Sequence, residues 1–205
     1  MATVFTKIYD APPIDRKELF RYAGARESLP ELEALVDECI SEICGKLSFK
    51  VCYTELDIAF FEDYIDLGFM KCPSKDLRKN LLGCDKIVLF AATVGIEIDR
   101  LVARYSALSP TKALIFNALG TERIESLCDL FCGEIAERYA SLGKKTRPRF
   151  SAGYGDLKIE AQRDIFDVLS CPSKIGISLG NNLLMSPRKS VTAIIGVLEN
   201  KNEHS

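Results

Sequence analysis

The chain of 205 residues has no tryptophan and one histidine, His204, which is next to last in a polar tail. With no second histidine, a Ser-His-Asp triad or a His-based metal site has nothing to build on. Eight cysteines (39, 44, 52, 72, 84, 128, 132 and 171) include no Cys-x-x-Cys pair, which argues against a zinc ribbon, a thioredoxin-like site or an iron–sulfur cluster. They read as reduced core residues, since Cys39, Cys128 and Cys132 fall on apolar helical stripes. An excess of one charge is missing too: 27 Lys and Arg face 29 Asp and Glu, so no broad field attracts nucleic acid or an anionic membrane. The N-terminus lacks a charged segment followed by an apolar core, and no apolar run approaches the ~18 residues of a membrane span. No strand is followed by Gly-x-Gly-x-x-Gly, which excludes a dinucleotide-binding crevice. We expect one cytosolic domain over residues 1–205, with 199–205 a disordered tail and no metal site.

Helical signals come early. Asp15 and Glu18 make a capping box ahead of Leu19, Phe20 and Tyr22, with Gly24 as the stop. Ser28 and Glu31 make a second, followed at helical spacing by Leu32, Leu35, Val36, Cys39, Ile40 and Ile43. The period then switches: Leu47, Phe49, Val51 and Tyr53 alternate with polar residues as a half-buried strand, and 57–61 is its expected hairpin partner. Cys72-Pro73-Ser74 opens a polar helix to about Leu82, and 86–92 is apolar enough for a central strand. Thr93 is the expected cap of the next helix. Ser109-Pro110 opens another that runs to about Leu142, with Gly120 a break or a tight packing point, and Lys144 and Lys145 complement its C-terminal dipole. Beyond a helix ending at Leu169, Cys171-Pro172 is the expected stop, Ile175, Ile177 and Leu179 alternate as a strand, and 191–198 makes a last one. Helices and strands intermix without a regular strand-helix-strand repeat, so the class is α+β.

The most specific stretch runs from Arg147 to Gly196. Arg149-x-x-x-Gly153-Tyr154 supplies a guanidinium able to grip a carboxylate with two hydrogen bonds, glycines that let the main chain approach a ligand, and an aromatic ring. It is followed by a helix with Gln162, Ile165, Phe166 and Leu169, then Ile175-Gly-Ile-Ser-Leu179, then Met185-Ser-Pro-Arg-Lys-Ser-Val191. In this order the segments resemble the activation domain of cobalamin-dependent methionine synthase. Thr93-Val-Gly-Ile-Glu-Ile-Asp-Arg100 and Ala118-Leu-Gly-Thr-Glu-Arg-Ile-Glu125 are similar to its stand-alone, single-chain form.

The resemblance implies a twisted antiparallel sheet flanked by helices, with S-adenosylmethionine lying in a groove on the sheet. It implies an auxiliary reactivation subunit rather than an independent catalyst, one that supports reductive methylation of cob(II)alamin carried by a partner synthase while a flavodoxin-like donor supplies the electron. No Asp-x-His-x-x-Gly corrinoid motif is present, in keeping with cobalamin held by the partner. Arg149 is then implied at the methionine carboxylate, the backbone of Ser151, Ala152 and Gly153 along the adenosine, and Tyr154, between Gly153 and Gly155, at the reactive methyl. The family's helical glutamate aligns with Gly133, so the neighbouring Glu134 is the nearest candidate, with Glu125 and Asp129 as alternatives for the cationic end of the ligand. Two other readings stand beside this one: a non-catalytic binding or assembly partner of another corrinoid methyltransferase, and a stand-alone enzyme using the Gly-Tyr-Gly loop for a different small molecule.

Overall fold

A computed structural model describes residues 3–25 and 30–199. In chain order the elements are β1 (Phe5–Tyr9), α1 (Arg16–Tyr22), α2 (Pro30–Ile43), β2 (Phe49–Asp57), β3 (Ala59–Phe60), β4 (Ile65–Asp66), β5 (Lys71–Cys72) and α3 (Lys75–Asn80). Then follow β6 (Cys84–Thr93), α4 (Glu97–Leu108), α5 (Pro110–Ala140), β7 (Lys144–Thr146), α6 (Ala161–Leu169), α7 (Cys171–Ile175), β8 (Ser178–Leu179), β9 (Met185–Ser186) and β10 (Ser190–Glu199). The main sheet has five strands in the order β1-β2-β6-β10-β7, every neighbouring pair antiparallel.

Its central strand explains the layering. Along β6, Val88, Phe90 and Ala92 point into one apolar cluster with α1, α2, α4 and α5, while Ile87, Leu89 and Ala91 point into a second with α3, α6 and α7. A sheet covered on both faces needs apolar residues at consecutive positions, which is how 86–92 reads. It also corrects the expectation for β2: Val51 and Cys52 are both fully buried, in opposite clusters, so that strand is not half-exposed.

Local starts and stops follow side-chain chemistry. Asp15 accepts from the Glu18 N–H, and Ser74 and Ser109 cap α3 and α5, with Pro110 in the first turn of α5. Helix α5 is continuous through Gly120, a point of close contact: a Cβ there would sit 2.6 Å from Ile98 and 2.9 Å from the Lys189 stem. Buried Glu122 and Arg123 fasten the β1–α1 connection onto α5. Glu122 accepts from the Asp15 N–H at 2.9 Å and from Ser126 at 2.8 Å, and Arg123 donates to the carbonyls of Pro12 and Pro13.

Several expectations need correcting. Residues 57–61 do not fold back on β2; β3 pairs with β4 in a small sheet, and the second neighbour of β2 is β1. Thr93 ends β6 instead of capping α4, its hydroxyl accepting from the Gly95 N–H, and α4 starts without a side-chain cap. Cys171-Pro172 begins a second short helix after Ser170 turns left-handed at φ 50°, so Ile175 is helical and the strand shrinks to β8. Lys144 and Lys145 lie in β7, paired with β10, and Lys144 reaches Asp85. Ser28 and residues 200–205 lie outside the described residues. No helix among the described residues is long and apolar enough to cross a membrane.

Candidate functional site

The segment after β7 runs beside β10, held by Arg147 N–H to the Gly196 carbonyl (2.8 Å) and by a reciprocal pair between Phe150 and Ile194 (2.8 and 2.9 Å). It then leaves the sheet as a tight loop. Within it, the Gly153 N–H donates to the Leu157 carbonyl (2.8 Å) and the Tyr154 N–H to the Ser151 carbonyl (3.2 Å). Gly153 and Gly155 adopt φ of 90° and 54°, which residues with a Cβ take up only at a cost. The loop is clasped to α3 from outside. Asp156 accepts from Ser74 Oγ and from the Lys75 and Asp76 N–H groups, while Asp76 accepts in return from the Asp156 N–H. These bonds, Ser74 first, hold the Asp156 carboxyl below its ordinary value of 3.8. A Cβ at Gly155 would run into the Asp76 carboxylate.

Between this loop, α5, α6 and the start of β10 lies a half-open groove of about 420 Å³. Arg149, Phe150, Ser151, Ala152 and Tyr154 form one side, Glu125 and Gln162 come from helices, and Met185, Ser190, Val191 and Thr192 close the other side. The volume falls in the range of small-molecule sites. Tyr154 stands at the mouth with 69% of its surface exposed. Arg149 does not wait with free charge: Nη2 pairs with Glu125 at 2.5 Å and Nη1 with Asp129 at 3.0 Å. Burial pushes the Cys128 thiol well above the ordinary range, and the nearby Arg149 charge opposes that shift.

The residues picked from sequence are placed as follows. Arg149, Ser151, Ala152 and Tyr154 come together on the groove. Gly153 and Gly155 do not line it: they shape the loop, and the Gly153 N–H is committed inside it. Glu134 is elsewhere, its carboxylate held by Lys7 (2.5 Å) and Tyr9 (2.6 Å) of β1. One helical turn separates Glu125 from Asp129, and these two alternatives are the acids that reach Arg149. Sequence reasoning missed Thr192 and the lining role of Gln162. A lone threonine in the apolar run of β10 was a usable signal. Gln162 sits on the otherwise apolar buried face of α6 with Ile165, Phe166 and Leu169.

Both of these carry an unmet need: Gln162 Oε1 and Thr192 Oγ1 are shut off from solvent and have no hydrogen-bond partner. A buried polar atom left unpaired costs about 1–3 kcal/mol. The groove thus offers a cation with two carboxylates around it and an aromatic rim, with Gln162 and Thr192 in its wall.

No family model matches the sequence, and no curated protein matches it. Among solved structures, the crystal structure of the MetH reactivation domain bound to AdoHcy matches over 100% of this chain and 81% of that chain, with a TM-score of 0.72 at 13% sequence identity. That match over the whole chain gives this protein, an antiparallel sheet sheathed by helices on both faces, the fold of the MetH reactivation domain.

Proposed function

We propose that this protein binds S-adenosylmethionine in the groove and serves as a reactivation subunit for a cobalamin-dependent methionine synthase, supporting reductive methylation of cob(II)alamin carried by that partner. The observation that carries the reading is the convergence of Arg149, Ser151, Ala152 and Tyr154 with Glu125 on one groove, in a fold whose solved counterpart is bound to AdoHcy. When bound, S-adenosylmethionine supplies an electrophilic methyl on its sulfonium. The residues of this chain position it. Arg149 takes the ligand carboxylate, Glu125 and Asp129 take the ammonium and keep the guanidinium oriented, and Tyr154 presents its ring at the open mouth toward the partner. Such a division needs no general base from this chain, because orientation is the contribution.

Calorimetry of the pure protein with S-adenosylmethionine and with AdoHcy tests the reading. One-to-one binding is expected, and Arg149→Ala should weaken it by about 1.5–3 kcal/mol, roughly tenfold to a hundredfold. No heat at millimolar concentrations of either ligand would refute it. The Arg149 cation, already neutralised by two acids, would then be structural, which favours the second reading: a non-catalytic assembly partner of another corrinoid methyltransferase.

A further inference from the structure

Apart from the groove, a cavity of about 190 Å³ lies between α4, α5 and the turn before β10, where Asp99, Asn117, Arg188 and Lys189 are among its lining residues. Its polar groups offer mainly donors. Lys189 Nζ donates to Asn117 Oδ1 and to Thr121 Oγ1, each at 2.8 Å, and both acceptors are neutral. Because Asn117 gives its oxygen to the lysine, its amide nitrogen is left as a donor, and Lys189 keeps a third N–H. The carboxylate in the lining, Asp99, accepts from the backbone N–H of Arg188 at 2.8 Å. Among the described residues, neither the Arg188 guanidinium nor the Lys189 ammonium forms an ion pair. Lys189 thus carries its charge into partial burial with no counter-charge in contact, an arrangement that costs free energy. Burial first, and then the neighbouring Arg188 charge, hold its amino group below the ordinary value of 10.5, with Asp99 opposing them.

We propose that this cavity binds a phosphate group, held by Arg188 and Lys189 with Asn117 as a third donor. Size and charge together select that ligand. The volume is below the roughly 300–1,000 Å³ of sites that enclose a whole drug-sized molecule, so it admits a compact group and not an extended one. Two cations face a single carboxylate, which favours an anion over a neutral or cationic group. A guanidinium fork, an ammonium and an amide can give separate oxygens of a tetrahedral oxyanion a partner each, whereas the fork alone would satisfy a planar carboxylate. Both cations belong to the segment Met185-Ser-Pro-Arg-Lys-Ser-Val191, of which the groove takes Met185, Ser190 and Val191 but neither Arg188 nor Lys189. The two sites are therefore distinct, and this one stands without the adenosyl-ligand reading of the groove.

The test is calorimetry of the full chain with inorganic phosphate, methyl phosphate and acetate at matched low ionic strength, on wild type, Arg188→Ala and Lys189→Met, each checked for folding by thermal melting. Wild type should bind one phosphate, acetate should bind at least about tenfold more weakly, and either substitution should weaken phosphate by at least about tenfold. Lys189 packs on Gly120, so Lys189→Met is the variant more exposed to misfolding; Arg188, on the surface, keeps the test decisive. Methyl phosphate held as tightly as phosphate would identify the ligand as the phosphate end of a larger molecule, and methyl phosphate held at least about tenfold more weakly would identify it as the free ion. No heat at millimolar phosphate, equal affinity for phosphate and acetate, or phosphate affinity untouched by Arg188→Ala would each overturn the site. None of these outcomes alters AdoHcy binding in the groove, so the two readings fail separately.

Discussion

At the scale of single residues, the site turns on groups whose partners lie outside the chain or far along it. The Tyr154 ring is 69% exposed between two glycines, so its packing contributes little. Tyr154→Ala should change stability by no more than about 0.5 kcal/mol, as for an ordinary surface position. It should lower the rate at which a partner synthase is reductively methylated, followed in the corrinoid spectrum. A large loss of stability with an unchanged rate would make the ring structural. Arg149 and Tyr154 were legible in the sequence because a fixed spacing places a cation, glycines and a ring within six residues. The carboxylate assignment was not, since Glu134 and Glu125 are equally plausible on a helix until β1 is seen to take Glu134 with Lys7 and Tyr9.

At the scale of elements, the loop of residues 151–157 keeps its shape through the clasp to α3, and that clasp titrates. The Asp156 carboxyl lies below its ordinary value in the folded protein, so folding favours its ionised form. The stabilisation is present at pH above the ordinary value of 3.8 and is lost as the pH falls through the lower folded value. Melting temperatures of wild type and Asp156→Asn should differ near neutral pH and converge below about pH 4. A difference that stays constant across that range would mean the carboxylate is not what ties the loop to α3. Capped helices were readable because a serine or aspartate three residues before the N–H it binds is a local arrangement, as at Asp15, Ser74 and Ser109. Thr93 and Cys171-Pro172 carried the same local chemistry but answered to other demands, the one finishing a sheet strand and the other opening a new turn after a left-handed serine. Strand pairing was the least legible, because β1, whose residues are mostly exposed, is an edge strand defined by its partner and not by its own pattern.

At the scale of the whole molecule, the continuous apolar run of β6 announces a sheet with two covered faces, and the α+β class followed from helices and strands intermixed without a regular repeat. What the sequence could not announce is how the layers are fastened. Glu122 and Arg123, 1% and 2% exposed, tie the β1–α1 connection to α5. Arg123→Met leaves a buried carboxylate without its cation and should cost about 3–5 kcal/mol in a denaturant titration, with Glu122→Gln added to it restoring part of the loss. A midpoint unchanged by the single substitution would show that water reaches the pair.

Helix α5 also fastens the groove, and it does so twice. Asn117 and Thr121 hold Lys189, just before β10, while about two turns further on Glu125 and Asp129 hold Arg149 on the opposite bank. The two anchor points are thus separated by the rise of a single rigid rod, about 12 Å for eight residues at 1.5 Å each. The helix acts as a gauge block. The span between the two anchors is therefore set by the helix and not by the loops that carry Lys189 and Arg149.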